Sequence, residues 1–271
     1  MTNNPVVVDL KRERKLLLIV LLGAIGAVSI VMLSAIGASY SSNLGDITRV
    51  ATITTAGVLS VKVVSSQGVR GLFGRAYVGL AAGLLLWVCA ESIWAYTEIV
   101  IGEKAPFPSI ADAFWLAAYG GFGYHLFALS KFFGKGVKRY KIAIVSIGMA
   151  IMCYYYVSNI ISSSASDPTA TPTVIAISIA YPVLDAILFI PAIVIVLNSG
   201  RGKLTSIPWI FIAWIILGIA DSMLGFVQLT GFQGDTTFVT MTYNAAYLAF
   251  AAGLVWYLRF FISARRLVIK N

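Results

Sequence analysis

The chain alternates between long apolar stretches and short polar connections. Each stretch is close to the roughly 20 residues that an α-helix needs to cross a bilayer. The stretches cover residues 16–39, 50–68, 76–97, 110–132, 142–162, 173–198, 207–230 and 237–262. This pattern predicts an all-α polytopic membrane protein with eight transmembrane helices. No connection is long enough to bury a core of its own, so we predict a single integral membrane domain over 1–271.

The basic residues fall almost entirely on one side of this arrangement. When successive loops are placed alternately inside and outside, only Arg49 and Lys104 of the 20 Lys and Arg lie on the outer side. Loops rich in Lys and Arg stay in the cytoplasm. Both termini are therefore predicted to be cytoplasmic, in the cytoplasmic membrane of a prokaryote.

Composition excludes an ordinary soluble domain and changes the meaning of the charge. The chain is 59% hydrophobic and 11% charged, whereas soluble domains are about 25% charged. Its net charge of +9 could indicate nucleic acid, but the surplus lies at the cytoplasmic helix ends. Anionic lipid headgroups are therefore the predicted partners, with the segment 131–141 as the main contact and no nucleic acid.

Two parts of the chain resemble each other. Glu91 precedes Tyr119 by 28 residues, and Asp221 precedes Tyr247 by 26, with a Gly and a polar helix start between the members of each pair. Parallel repeats related by an axis along the membrane normal are a known membrane architecture. The spacing indicates a repeat of four helices plus four, with halves 1–135 and 136–271.

Carboxylates within the apolar stretches are the main candidates for function. An ionised carboxylate in hydrocarbon costs at least about 2.5 kcal/mol, so such groups face the bundle interior. Helical spacing gives Glu91, Asp185 and Asp221 polar or aromatic companions. The predicted ligand-binding or proton-coupling residues are Glu91, Asp185, Asp221, Trp87, Trp94, Tyr119, Tyr181, Tyr243, Asn244 and Tyr247. They predict a polar, aromatic-walled pocket in the outer half, although purely structural bonds between helices are an alternative for each acid.

The fourth carboxylate has a local explanation. Ser109-Ile-Ala-Asp112 has the spacing of a capping box, in which the serine caps the helix and the acid bonds back to it. Ser109 and Asp112 are therefore predicted to cap the fourth helix, and Asp112 needs no further role.

The sequence offers no set of residues for catalysis or metal binding. The single histidine, His125, lies about 140° around the fourth helix from Asp112, on a face with Ala118 and Gly121 that suits close helix packing. No phosphate-binding loop, dinucleotide fingerprint or hydrolase motif occurs. We therefore expect neither an enzyme nor a cofactor or metal.

The stretch Trp87-x-x-Ala-Glu91-x-x-Trp94 … Pro106-Phe-Pro-Ser109-Ile-Ala-Asp112 resembles a known family. It is similar to the multi-spanning membrane region found at the N-terminus of many bacterial diguanylate cyclases and histidine kinases. Tyr181-Pro182-Val-Leu-Asp185 and Ala220-Asp221 resemble later helices of that region, so the resemblance covers about residues 75–250. It implies a sensory or ligand-binding bundle. The chain carries neither output domain, so we expect output through a protein partner.

These observations favour a membrane sensor or ligand-binding module that binds a small ligand in the outer half of the bundle. Two alternatives stay open. One is a proton- or cation-coupled transporter that uses the intramembrane carboxylates, and the other is an accessory subunit of a larger membrane complex. The inner half of the stretches is poor in polar residues apart from Lys62, which favours a one-sided pocket over a transport path.

Overall fold

The computed structural model describes residues 5–37, 41–134, 136–166, 171–198, 208–230 and 236–259. These residues form helices and short connections without a strand, so the all-α prediction is confirmed. The helices are α1 (Pro5–Ser34), α2 (Ser41–Gln67), α3 (Gly71–Ala95), α4 (Ile110–Phe133), α5 (Arg139–Ser166), α6 (Pro172–Asn198), α7 (Pro208–Thr230) and α8 (Thr237–Tyr257). A π-helical turn, Tyr96–Ile101, continues α3 at its outer end.

Seven of the eight helices in the described chain are long and apolar enough to cross a membrane, which is the architecture of a multi-pass membrane protein. The helix that falls short of this criterion is α4, and it does so by hydropathy. Its 24 residues include Asp112, His125 and several Gly and Tyr. Polar and small residues are tolerated in such a helix because it packs between α3 and α6 and exposes less of its surface to lipid.

The second helix begins earlier than the apolar stretch predicted. The prediction placed its start near residue 50 and Arg49 in an outer loop, but α2 begins at Ser41 and includes Arg49 in its third turn. The first turns of α2 are polar because they face other helices. Asp46 pairs with Arg49, and Thr48 and Thr52 bond to α8. An apolar pattern detects contact with lipid and misses helical turns that are covered by protein.

The helices divide into a packed centre and a periphery. α3 packs against α2 and α4, α8 packs against α7 and α2, and α6 contacts α5, α7 and α4. In α1 and α5, only 11% and 6% of the most apolar stretch is buried, against 61% in α8. The outer two helices therefore present most of their surface to lipid, and any internal site belongs to the other six.

Glycines bring α3 and α4 into direct backbone contact. A Cβ added to Gly121 would lie 2.6 Å from the carbonyl oxygen of Gly79 and 2.9 Å from the backbone nitrogen of Gly83. Small residues at such positions allow membrane helices to approach closely. The contact fixes the register in which Trp87 of α3 meets Tyr119 and Phe122 of α4, with ring centroids 6.1 and 5.4 Å apart.

Candidate functional site: a carboxylate–tyrosine network

Each of the four carboxylates singled out in the sequence accepts a hydrogen bond from a tyrosine on another helix. The four bonds are Tyr247 to Glu91 (2.8 Å), Tyr181 to Asp112 (2.7 Å), Tyr119 to Asp185 (2.5 Å) and Tyr243 to Asp221 (2.6 Å). We call these eight side chains the carboxylate–tyrosine network. Its bonds join α3 to α8, α4 to α6 in both directions, and α7 to α8.

The four pairs form one continuous cluster. The indole N–H of Trp87 donates to the hydroxyl of Tyr247 at 2.8 Å, and the Trp87 ring also contacts Tyr119. Tyr119 in turn lies 6.4 Å from Tyr181, between ring centroids. Asp221 is within electrostatic range of Glu91, and Asp185 is within range of Asp221. The network therefore links α3, α4, α6, α7 and α8 through adjacent side chains.

The network lies near the middle of the bundle or in the half that is predicted to face outward. Glu91 is ten residues before the end of the π-helical turn at Ile101, and Asp221 is nine residues before the end of α7. At about 1.5 Å per residue, both acids lie roughly 14–15 Å below the outer helix ends. Asp185 is thirteen residues into α6, close to the midpoint of that helix.

Arg49 is the component that the sequence analysis missed. Its guanidinium pairs with Asp46 in its own helix and lies 3.6 Å from Oε2 of Glu91. It is mostly buried, with 17% of its side chain exposed. The available sequence signal was the presence of Asp46 three residues before it, which is ion-pair spacing on one helix face. Arg49 thus brings a positive charge to the α2–α3 side of the network.

Asn244 bonds to α2 rather than to the carboxylates. Its amide nitrogen donates to the hydroxyl of Thr48 at 3.0 Å, and its amide oxygen accepts from Thr52 at 2.7 Å. The side chain is 1% exposed, so both polar ends are used within the bundle. Asn244 fastens α8 to α2 beside the network and makes no bond to its carboxylates.

Asp112 caps α4 and also belongs to the network. Its Oδ2 accepts from the backbone N–H of Ser109 at 2.7 Å, and Oγ of Ser109 accepts from the N–H of Ala111 at 3.2 Å. These bonds form the capping box. Its Oδ1 accepts from Tyr181 of α6, so this carboxylate is fully bonded.

Trp94 lies apart from the network. Its ring contacts that of Trp115, with centroids 5.6 Å apart, and both side chains are half-buried near the outer end of α3 and the start of α4. The two indoles form an aromatic contact at the outer edge of the α3–α4 pair. Trp87 thus belongs to the network through its bond to Tyr247, whereas Trp94 contacts Trp115 outside it.

The network is packed in this structure. Glu91, Asp185 and Tyr247 are 3%, 7% and 1% exposed. Asp221 is half-buried, yet its Oδ2 has no hydrogen-bond partner among the described residues. Two shallow depressions occur elsewhere on the described surface, one beside Glu13 and one beside Arg75. Within the described chain, no group of three His, Cys, Asp or Glu is placed to hold a metal ion.

The half of the described bundle that is predicted to face inward is mainly apolar. Its buried polar groups are Ser60, His125 and the hydroxyl or indole groups of Tyr77, Trp209, Trp256 and Tyr257. His125 bonds the carbonyl of Ala76 through Nδ1 at 3.0 Å. Below the network lie Phe122, Trp214 and Phe250, whose rings contact one another.

No protein-family model matches the chain, and neither a curated protein nor a solved structure matches it. A functional assignment therefore depends on the network.

Proposed function

We propose that the chain is a sensor or ligand-binding module of a prokaryotic cytoplasmic membrane, without catalytic activity of its own. The observation that carries this proposal is that four carboxylates within the bundle, three of them buried and one half-buried, each accept a hydrogen bond from a tyrosine of a different helix. A ligand or proton that changes one of these bonds changes the contact between two helices. Such a network converts a local binding event into a rearrangement of the bundle.

The charge of the network indicates a positively charged ligand. Arg49 lies beside Asp46 and Glu91 and balances one of their two negative charges, and Asp112 is stabilised by the start of α4. Asp185 and Asp221 accept from tyrosines and form no ion pair with a described residue. A buried carboxylate without a counter-charge is costly, so it takes up a proton or a cation. We therefore propose a small ammonium compound, or the proton itself, as the stimulus.

The surrounding residues support one-sided access from the outside. The network lies at or above the middle of the bundle. Among described residues, the buried inner half has no carboxylate, and its polar groups are Ser60, His125 and the tips of aromatic side chains such as Tyr77 and Tyr257. A transporter needs a polar path to both sides. The alternative of a coupled transporter keeps one argument in its favour. Pro182 and Pro191 lie inside α6 on either side of Asp185, and proline within a helix favours a kink or hinge.

For the architecture we propose eight spans, with α4 crossing as well, and both termini in the cytoplasm. The packing order supports the proposed repeat of four helices plus four. α3 packs on α4 as α7 packs on α8, and α2 packs on α8 as α6 packs on α4. Exchanging the two halves therefore preserves these contacts. The pairs Glu91–Tyr247 and Asp221–Tyr119 would then be equivalent, and Tyr119 does lie within electrostatic range of Asp221.

Output is proposed to pass through a protein partner, in line with the sensory bundles that the sequence resembles. The partner would pack on the periphery in place of lipid, where α5 exposes Tyr154 at 75% and Ile151 at 64%. An accessory subunit of a larger complex would use the same surface. What separates the two proposals is whether the network responds to a stimulus.

The test is to reconstitute the protein in lipid nanodiscs and measure its tryptophan fluorescence. Trp87 belongs to the network, so its emission is expected to change when the network changes. Methylammonium and tetramethylammonium, added at several pH values, are expected to change the emission saturably. The Asp221→Asn variant is expected to lose the response, and a control, Glu103→Gln in the exposed loop before α4, is expected to keep it. If the wild-type protein takes up protons into vesicles and the Asp221→Asn variant does not, the sensor proposal is overturned in favour of transport. If neither the ammonium compounds nor a change of pH alters the emission, the sensor proposal is overturned in favour of an accessory subunit.

A further inference from the structure

A shallow groove lies on the lipid-facing side of α3 and α4, far from the network. It is lined by Val69, Arg75, Val78, Gly79, Ala82 and Tyr124 and has a volume of about 330 Å³. Four of these residues, at positions 75, 78, 79 and 82, follow the i, i+3, i+4, i+7 spacing of a single helix face. The groove therefore runs along α3 for about 10 Å from the basic end of the bundle toward the middle of the membrane.

The glycine of this stripe shapes the groove. A Cβ on Gly79 would lie 2.8 Å from the carbonyl oxygen of Gly121 and 2.9 Å from Cδ1 of Tyr124. The absence of a side chain thus lets α4 approach α3 and lets the Tyr124 ring form the far wall. Val78 and Ala82 form the near wall, and both are exposed. The result is a narrow apolar trough that faces lipid.

The mouth of the groove carries unneutralised positive charge. Arg75 is exposed, and the bond within its own helix from Nε to the carbonyl of Gly71 is long, at 3.4 Å. Neither Arg75 nor Arg70 forms an ion pair with a described carboxylate. The sequence has no Asp or Glu between Asp46 and Glu91. A guanidinium at this depth extends to the membrane surface, where it can bind a phosphate in two-bond geometry.

We propose that this groove is a specific site for an anionic phospholipid of the cytoplasmic leaflet, with its phosphate on Arg75 and an acyl chain along Val78, Gly79 and Ala82. Charge complementarity at the mouth and an apolar trough at membrane depth together match the two ends of a phospholipid. The site is independent of the network and of the proposed sensor function. It differs from the general attraction of basic loops to lipid because it also depends on the shape of the trough.

Native mass spectrometry of the protein, extracted in mild detergent and supplied with phosphatidylglycerol or phosphatidylcholine, tests this site. The wild type is expected to retain one phosphatidylglycerol per chain. Arg75→Gln removes the charge and Ala82→Leu fills the trough, and each is expected to weaken retention about tenfold, equivalent to about 1.4 kcal/mol. Matched controls are Lys15→Gln, an exposed cation of α1, and Ala150→Leu, an exposed alanine of α5; both are expected to retain the lipid.

Three outcomes would overturn the site. Equal retention of phosphatidylcholine and phosphatidylglycerol would show that the lipid charge does not affect binding. Unchanged retention of phosphatidylglycerol by the Ala82→Leu variant would show that the trough does not affect it either. If the wild type forms a concentration-dependent dimer and Ala82→Leu is monomeric, the groove face of α3 and α4 binds a second copy of the chain instead of a lipid. Both groove variants alter exposed side chains, and circular dichroism of each checks that the bundle is intact.

Discussion

The two sides of the carboxylate–tyrosine network differ in which groups surround their carboxylates. Toward α2, Arg49 pairs with Asp46 and Glu91, and Asn244 fastens α8 to α2 through Thr48 and Thr52. Toward α6 and α7, Asp185 and Asp221 each have one described hydrogen-bond donor, a tyrosine, and no ion pair with a described cation. Because a tyrosine hydroxyl carries no charge, no described residue balances the charge of these two carboxylates.

This difference separates a structural role from a responsive one. A carboxylate with a permanent counter-ion stays ionised and holds helices together, whereas one without it changes state when a proton or cation arrives. The same type of bond, from tyrosine to carboxylate, therefore has two consequences according to what else surrounds the acid. We expect the Arg49 side to dominate stability and the Asp185–Asp221 side to dominate the response.

The largest effect is expected from Arg49→Met. Removal of the guanidinium leaves Asp46 and Glu91 buried without a counter-charge, and breaking a buried ion pair in this way typically costs about 3–5 kcal/mol. Unfolding by a denaturing detergent, monitored by circular dichroism, measures this loss. Arg139→Met, at an exposed cation of α5, serves as the matched control with little expected change. The comparison would fail if Arg49→Met cost less than about 1 kcal/mol.

A smaller loss is expected from Asn244→Leu on the same side. The substitution removes two inter-helix hydrogen bonds, to Thr48 and from Thr52, while the leucine keeps the apolar packing of α8. Bonds of this kind between membrane helices contribute about 0.6–2 kcal/mol each, so we expect about 2 kcal/mol in total. Asn159→Leu, whose amide bonds only within α5, is the control. Equal losses in both variants would show that Asn244 does not fasten α2 to α8.

The reciprocal bonds between α4 and α6 are expected to contribute less. A double-mutant cycle of Tyr119→Phe and Asp185→Asn isolates one of them, the 2.5 Å bond that Tyr119 donates. We expect a coupling free energy of about 0.6 kcal/mol, the typical value for such bonds in a membrane protein. A coupling free energy above about 2 kcal/mol would exceed that range. It would show that this side is fastened as firmly as the Arg49 side.

The sequence predicted the helices better than it predicted the site. Apolar stretches report contact with lipid and predicted eight spanning helices; seven helices of the described chain are long and apolar enough to span. The same pattern failed where protein covers a helix: it missed the polar first turns of α2 and with them Arg49. The cost of burying a carboxylate identified Glu91, Asp112, Asp185 and Asp221 correctly as interior groups. Their tyrosine partners could not be assigned, because pairing depends on which helices are neighbours, and helical spacing within one segment does not contain that information.

The smallest effect on stability is expected from Asp221→Asn, and it gives the sharpest comparison with Glu91→Gln. The asparagine oxygen can still accept from Tyr243, and the group that replaces Oδ2 loses no bond, because Oδ2 has no partner among the described residues. Glu91→Gln instead replaces the carboxylate oxygen that lies 3.6 Å from Arg49 with an uncharged amide group. We therefore expect Asp221→Asn to change the free energy of unfolding by less than about 0.5 kcal/mol and Glu91→Gln to lower it by about 1–3 kcal/mol. Denaturation of both variants in the same detergent measures the difference. Equal losses would mean that Asp221 is as much a structural acid as Glu91, and the responsive side would then have to be sought at Asp185 alone.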